Sequence, residues 1–410
     1  MTNIKRKINQ ICKKNINSEI VRVVILGLLA FVFGGQSLFS KDVILDDFLD
    51  ISIIISFLLV VVSDVIAKLF IYIIGKNTED DAKLSTDYNE LVKKYRFDIP
   101  KMIKFRDTIF PVNELCSRRI DSHPFQFKID CSQNDKYRPP EQISELSSEI
   151  FQAHKYSVVY NAICIRLNDI KYTKKNHMIK LDYSFTTYYD SLITNRAMDY
   201  PFEPNKTIRE LYEPGPFISE LVESKLSNHL GFNGFVELSD NKIIFVYRGK
   251  DVSIGKGTWA TSIGASLKTI YALDTNKNFT TKGLSDAIRA EIMDELKIEL
   301  PDNKDYSKTI FAFYRDLVEG GKPQFLFYCK TDSYSSKSFS NHFQQIINKP
   351  DVKKANKKNQ TVDGTNFKFL TFVELKESIL TIDGIILKNG EKLSMMPSSV
   401  ASLAILLNNI

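Results

Sequence analysis

The chain lacks any CxxC pair, and its five cysteines (Cys12, Cys116, Cys131, Cys164 and Cys329) are scattered, with no histidines at zinc-ligand spacing. That argues against a zinc site and against a disulfide framework, so the thiols read as reduced in a cytosolic domain. No internal repeat or long low-complexity tract is present. Tryptophan occurs once, at Trp259. A strong charge of one sign is missing too. Lys and Arg number 55 against 49 Asp and Glu, a net +6, which permits an anionic ligand without demanding a nucleic-acid polymer. The apolar and charged fractions, 43% and 25%, are ordinary for a folded protein, and 410 residues imply two or more units.

What the chain does have is unevenly placed. Residues 20–39, IVRVVILGLLAFVFGGQSLF, are almost continuously apolar and long enough as a helix to span a bilayer core. Residues 51–75, ISIIISFLLVVVSDVIAKLFIYIIG, form a second such stretch. The linking loop is acidic and the leader is basic (Lys5, Arg6, Lys7, Lys13, Lys14, Arg22), so the positive-inside rule puts both termini in the cytoplasm. A long basic leader, no A-x-A-like site and the prompt second span argue against a cleaved signal peptide. The expectation is a two-helix transmembrane hairpin over 1–76. Asp64 and Lys68, one turn apart, read either as a neutralised pair gluing the hairpin or as membrane-gating charges between subunits.

Residues 77–110 read as a juxtamembrane connector with a short helix near Tyr88–Tyr95, and 111–216 as an α/β extension. In that extension FQFKIDC, KYSVVYNAICIRLND and NHMIKLDYSF alternate like strands, RPPEQISELSSEIFQAH looks helical, and TTYYDSLITNRAMD reads as a helix ending near Asn195. Residues 217–410 form the last unit. FISELVESKLSNHL has helical spacing; FNGFVELSDNKIIFVYRG and KTIFAFYRDLVEGGKPQFLFYCKTD are hairpins turning at Ser239–Asn241 and Gly320–Gly321. SSKSFSNHFQQIINKPDVKKANKKNQTVDGT, polar and lysine-rich, reads as a surface excursion, FKFLTFVEL as a strand, and PSSVASLAILLNN as a closing helix.

Between the hairpins, GLSDAIRAEIMDELKI reads as a helix capped by Ser285, with Ile288, Ile292 and Leu296 as its buried stripe. Glu291, Asp294 and Glu295 share one face, where like charges repel. Mg²⁺, a hard cation that prefers oxygen, is the natural compensator.

This order of a hairpin ending in arginine, a Gly/Trp segment, a carboxylate helix, more strands and a last helix resembles the Nudix fold over about 180 residues from Phe217. The family pattern R-E-U-x-E-E-x-G-U, with U bulky and aliphatic, matches Ala290 to Ile298, so three acids stand where the family binds metal. Ala290 replaces the arginine, although Arg289 is adjacent. Lys297 replaces the glycine, and YALDTNKNFTTK intrudes before the helix. The expected fold class is thus α+β: a membrane hairpin, then a mixed-sheet Nudix-like domain flanked by helices.

The layout of two spans, TYYDSLITNR and a Nudix-like region is also similar to membrane effectors of bacterial cyclic-oligonucleotide antiphage systems (CBASS). The resemblance implies a multi-pass inner-membrane protein that binds a cyclic nucleotide second messenger, forms a homo-oligomer and disrupts membrane lipid, causing abortive infection. Arg248 would contact phosphate, Trp259 would stack on a base, and Ser262, Gly264 and Lys268 lie where the loop would pass a phosphate. Tyr188, Thr194, Asn195 and Arg196 enter through the resemblance alone. For Trp259 a core role competes, and for Arg248 a surface ion pair. The alternative is a membrane-anchored, Mg²⁺-dependent Nudix hydrolase of a nucleoside diphosphate derivative, using Glu291, Asp294 and Glu295.

Overall fold

The computed structural model describes residues 84–152, 154, 161–203, 206–249, 252, 254–350, 352 and 364–410. All belong to the compact unit Asp81–Ile410. Two expectations are corrected. Among the described residues no helix is long and apolar enough to cross a membrane. The longest, Thr281–Leu296, has 16 residues, about 24 Å at 1.5 Å per residue, short of a bilayer core and rich in charge. Residues 20–39 and 51–75, with Asp64 and Lys68, lie outside the described residues. The two-span hairpin and the inner-membrane placement are therefore withdrawn. The described fold class is mixed α/β.

Four sheets organise it. Strands β1 (Met102–Phe105) and β2 (Thr108–Ser117) open the largest, and β3 (Gln126–Lys136), β4 (Ile163–Thr173) and β5 (Met178–Thr187) form a separate one in the order β3-β5-β4. After the small β6–β7 ribbon (Pro201–Glu203, Lys206–Thr207), the chain lays down β8 (Gly231–Glu237), β9 (Lys242–Tyr247), β10 (Trp259–Ala260) and β11 (Ile263–Ser266). Strands β12 (Ile310–Asp316), β13 (Lys322–Lys330) and β14 (Asn366–Thr371) complete the large sheet. Its order is β1-β2-β12-β13-β8-β9-β10, with β11 on β8 and β14 on β9. Within it β13 and β8 run parallel, and the other pairs are antiparallel. The three short strands β15 (Ile379–Thr381), β16 (Gly384–Ile386) and β17 (Lys392–Ser394) make the last sheet.

Strand alternation sends successive side chains to opposite faces of this sheet. Phe232 and Val236 of β8, with Phe325 and Phe327 of β13, join the core that holds Leu284, Ile288, Ile292 and Leu296 of the long helix. Phe235, Leu326 and Tyr328 join the other core, with Val400, Leu403, Ala404 and Leu406 of the closing helix Pro397–Asn408. The sheet is thus covered on both faces. That explains the near-continuous apolar runs of β12 and β13, which are buried on both sides.

Three helix assignments differ from the sequence pattern, the first being the end of FKFLTFVEL, which forms the helix Phe372–Glu377. FISELVESKLSNHL is irregular: Leu221 and Leu230 enter the first core, Leu226 a smaller one, and Ile218 another. Its apolar spacing serves three destinations instead of one helical face. Conversely, SKSFSNHFQQII is a helix, Ser336–Ile347, with a Ser335–Ser338 capping box and Phe339 and Phe343 buried one turn apart.

Candidate functional site

The long helix begins at Thr281, not at a Ser285 cap. Thr280 is the N-cap, its hydroxyl accepting from Gly283 N, whereas Ser285 Oγ accepts from Tyr306 N at 2.8 Å. Gly283 lets the helix start press on the short helix Thr269–Ala272, since a methyl group there would lie 1.9 Å from the Ala272 carbonyl oxygen. Lys268 is the N-cap residue of that short helix, and the contact brings it to the carboxylate face. Its Nζ lies 2.7 Å from Glu291 Oε1, with Glu291 3% exposed. Asp294 is exposed and accepts from Tyr271 Oη at 3.2 Å, while Glu295 is half-buried. Burial, then Asp294, pushes the Tyr271 phenol up to about 12.

A magnesium site fits this arrangement poorly. The most buried of the three acids already holds an ammonium, and among the described residues no group of three His, Cys, Asp or Glu could hold a metal ion. The helix ends at Lys297, whose left-handed φ of 58° is the conformation a C-terminal glycine normally supplies. Arg289 turns away, pairing with Asp286 at 3.7 Å and with Asp302.

A second group of charges lies close by. Cys164 bridges to Lys268 through the backbone, and its buried thiol is pushed up to about 12 against the pull of Lys268, Arg196 and Lys322. Arg196 donates to Tyr188 Oη, and its guanidinium lies 4.8 Å from the Tyr188 ring centre. That ring is 6.3 Å from the imidazole of His229, which is wholly buried. Burial, reinforced by Lys322 and Arg196, holds His229 well below its usual pKa and therefore neutral. Arg196 Nε is 3.5 Å from Glu319 Oε2, and Lys322 Nζ is 3.4 Å from the same oxygen. Burial also lowers the Lys322 ammonium, opposed by Glu319. Asp316, wholly enclosed, is pushed up to about 7 by burial and then by Glu319, despite hydrogen bonds from Ser398 and Val318 N.

Lys322 connects this group to the sheet. A methyl group on Gly231 would lie 3.2 Å from Lys322 Nζ and 3.3 Å from Gln324 Oε1, and Asn233 Nδ2 donates to Gln324 at 3.1 Å. Gly264 pairs with Asn233 across β11 and β8, and a methyl group there would lie 3.4 Å from Arg248 Nη1. The polar row therefore runs from Arg196 through Lys322, Gln324 and Asn233 to Gly264 and Arg248.

The sequence candidates separate clearly by what they touch. Lys268, Tyr188, Arg196, Gly264 and Arg248 lie along the charged groups and the polar row. Asn195 is fully buried, its Nδ2 donating to Glu319 O and its Oδ1 accepting from Asn228 N, so it braces the backbone. Thr194 does likewise between Asp190 O and Ser227 N. Ser262 Oγ donates to Ile244 O at 2.5 Å and accepts from Val236 N at 2.8 Å, stitching strands together. Trp259 meets Tyr247 edge to face at 5.3 Å and packs against the closing-helix core. Sequence reasoning missed Lys322, Glu319 and His229. The charges flanking Gly320–Gly321 resemble those of any exposed turn, and only the fold buries them.

No family model matches the chain, and no curated protein does. Among solved structures it is similar to the Deinococcus radiodurans protein DR0079, at 15% identity over 35% of this chain and 67% of that one, with a TM-score of 0.19. A likeness that slight carries no argument.

Proposed function

We propose that residues 81–410 are a Nudix-like binding domain that senses a phosphate-bearing nucleotide, in the class of cyclic oligonucleotides, without hydrolysing it. The observation that carries the reading is the Lys268–Glu291 pair at 2.7 Å. A hydrolase of this kind needs its helix carboxylates free to hold metal and activate water. Here an ammonium neutralises the innermost one from within the protein. The left-handed Lys297, standing where the Nudix pattern has glycine, supports descent of the frame from that fold. The cations Lys268, Arg196 and Lys322, all within electrostatic reach of Cys164, favour an anion in the same region. Half-buried Tyr188 and exposed Ile270 offer apolar surface for a base beside them. Membrane disruption has no place in this proposal.

The test is thermal unfolding of the full chain with cyclic di- and trinucleotides, paired with a phosphate-release assay in Mg²⁺. A ligand that binds the folded state alone raises the midpoint, by RT ln(1 + [L]/Kd) in free energy. A midpoint increase with at least one cyclic nucleotide and no turnover is expected. Mg²⁺-dependent turnover that disappears in Glu295→Gln would establish the hydrolase instead.

A further inference from the structure

We propose that Arg196, Lys322 and His229 form the phosphate-binding subsite of this domain, and that the Glu319 carboxylate occupies it in the ligand-free state as an internal stand-in for the anion. The inference rests on the sensing role above and names the groups that take the phosphate.

Three observations converge. First, Glu319 touches both cations only at the long end of contact: 3.5 Å from Arg196 Nε, and 3.4 and 3.5 Å from Lys322 Nζ through its two oxygens. The carboxylate balances their charge without closing short, charge-assisted hydrogen bonds. Second, among the described residues Glu319 Oε2 and both ring nitrogens of His229 are buried without a hydrogen-bond partner. Buried polar atoms in this condition are uncommon and mark an unmet demand. The Glu319 carboxylate leaves the imidazole nitrogens unserved, whereas a tetrahedral phosphate carries more oxygens, in more directions, for Arg196, Lys322 and the imidazole. Neutral His229 donates from whichever ring nitrogen carries its proton. Arg196 keeps 13% of its side chain exposed, so the group meets solvent at that end.

Third, the Glu319 backbone is held while its side chain is long enough to move. Its carbonyl accepts from Asn195 Nδ2 at 2.9 Å. The next two residues, Gly320 and Gly321, adopt left-handed φ of 64° and 77° in the turn from β12 to β13. A methyl group on Gly320 would lie 2.6 Å from Met198 Sδ, so the turn is packed in place. An arriving phosphate would displace the carboxylate by rotation of its side chain, with no change in the strands.

Equilibrium dialysis of the full chain with labelled inorganic phosphate, and separately with a cyclic dinucleotide, at constant ionic strength tests this. Glu319→Gln removes the competing charge and should tighten phosphate binding about tenfold, whereas Arg196→Lys and Lys322→Met should weaken it about tenfold. If Glu319→Gln does not fold, Glu319→Asp, whose shorter arm withdraws the carboxylate, is read in the same direction. A carboxylate that merely neutralises two structural cations predicts no tightening in either variant, and that result overturns the proposal. The two readings fail separately. Phosphate binding that follows these variants without any nucleotide binding would refute the sensing role alone. Nucleotide binding indifferent to all of them would refute the subsite alone.

Discussion

At the level of single residues, the proposed function turns on which charges the fold encloses together. Lys268 neutralises a carboxylate that is otherwise buried, so Lys268→Met should cost about 3 kcal/mol in urea unfolding, and adding Glu291→Leu should recover most of the loss. A single variant no less stable than wild type would show that Glu291 finds another partner. Asp316 supplies a pH signature. Its pKa rises from 3.8 to about 7 on folding, so the folded state holds the proton more tightly. The stabilisation is complete below the unfolded value and is lost as pH rises through the folded one. Asp316→Asn should therefore flatten this decline and melt about 4 °C or more above wild type at pH ~8, with little difference at pH ~4. Lys268 was visible in the sequence as a candidate. Its pairing with Glu291, itself a candidate metal ligand, was not, because Glu291 lies a turn, a short helix and a loop further on, and spacing says nothing about contacts across such a distance.

Between elements, close approach reverses the usual effect of glycine replacement. Alanine in a helix is normally worth about 1 kcal/mol over glycine, but Gly283→Ala would drive a methyl group into the Ala272 carbonyl. We expect a net loss of about 2 kcal/mol and a weakened ligand response, because the short helix carrying Lys268 must shift. Ligand binding unchanged alongside that destabilisation would separate the helix packing from the site. Legibility at this scale followed the number of faces in use. The hairpins at Asp240 and Gly320, the carboxylate helix and the Pro397 helix were readable because each has one apolar destination or an unambiguous turn. FISELVESKLSNHL was not, since its leucines feed separate cores from an irregular chain. Ser336–Ile347 was obscured by its polar composition, although Phe339 and Phe343 one turn apart after a serine cap were the available signal.

For the molecule as a whole, the large sheet joins segments that sequence reading divides at residues 216 and 217. Strand β2, before that division, pairs with β12, after it, and within the later segment β13 pairs with the distant β8. Such pairings carry no local signature, because alternation identifies a strand without naming its neighbour. The four hydrophobic clusters of the described residues lie within Asp81–Ile410. A fragment starting at Asp81 should accordingly unfold in one cooperative transition and, on the proposed sensing role, show the same midpoint shift with nucleotide as the full chain. A fragment that is stable yet unresponsive would place the ligand's binding determinants partly in residues 1–80.

The β2–β12 pairing also sets a schedule. A ribosome releases β2 roughly 190 residues before β12, so the open edge of the β1–β2 hairpin must wait through nearly half of synthesis for its neighbour. Strand β8 waits in the same way for its parallel partner β13. Folding that depends on such distant pairings is slow and leaves strand edges unprotected meanwhile. Production of this protein should thus be limited by kinetics during translation more than by the stability of the finished molecule, and slower elongation or a holding chaperone should raise its yield.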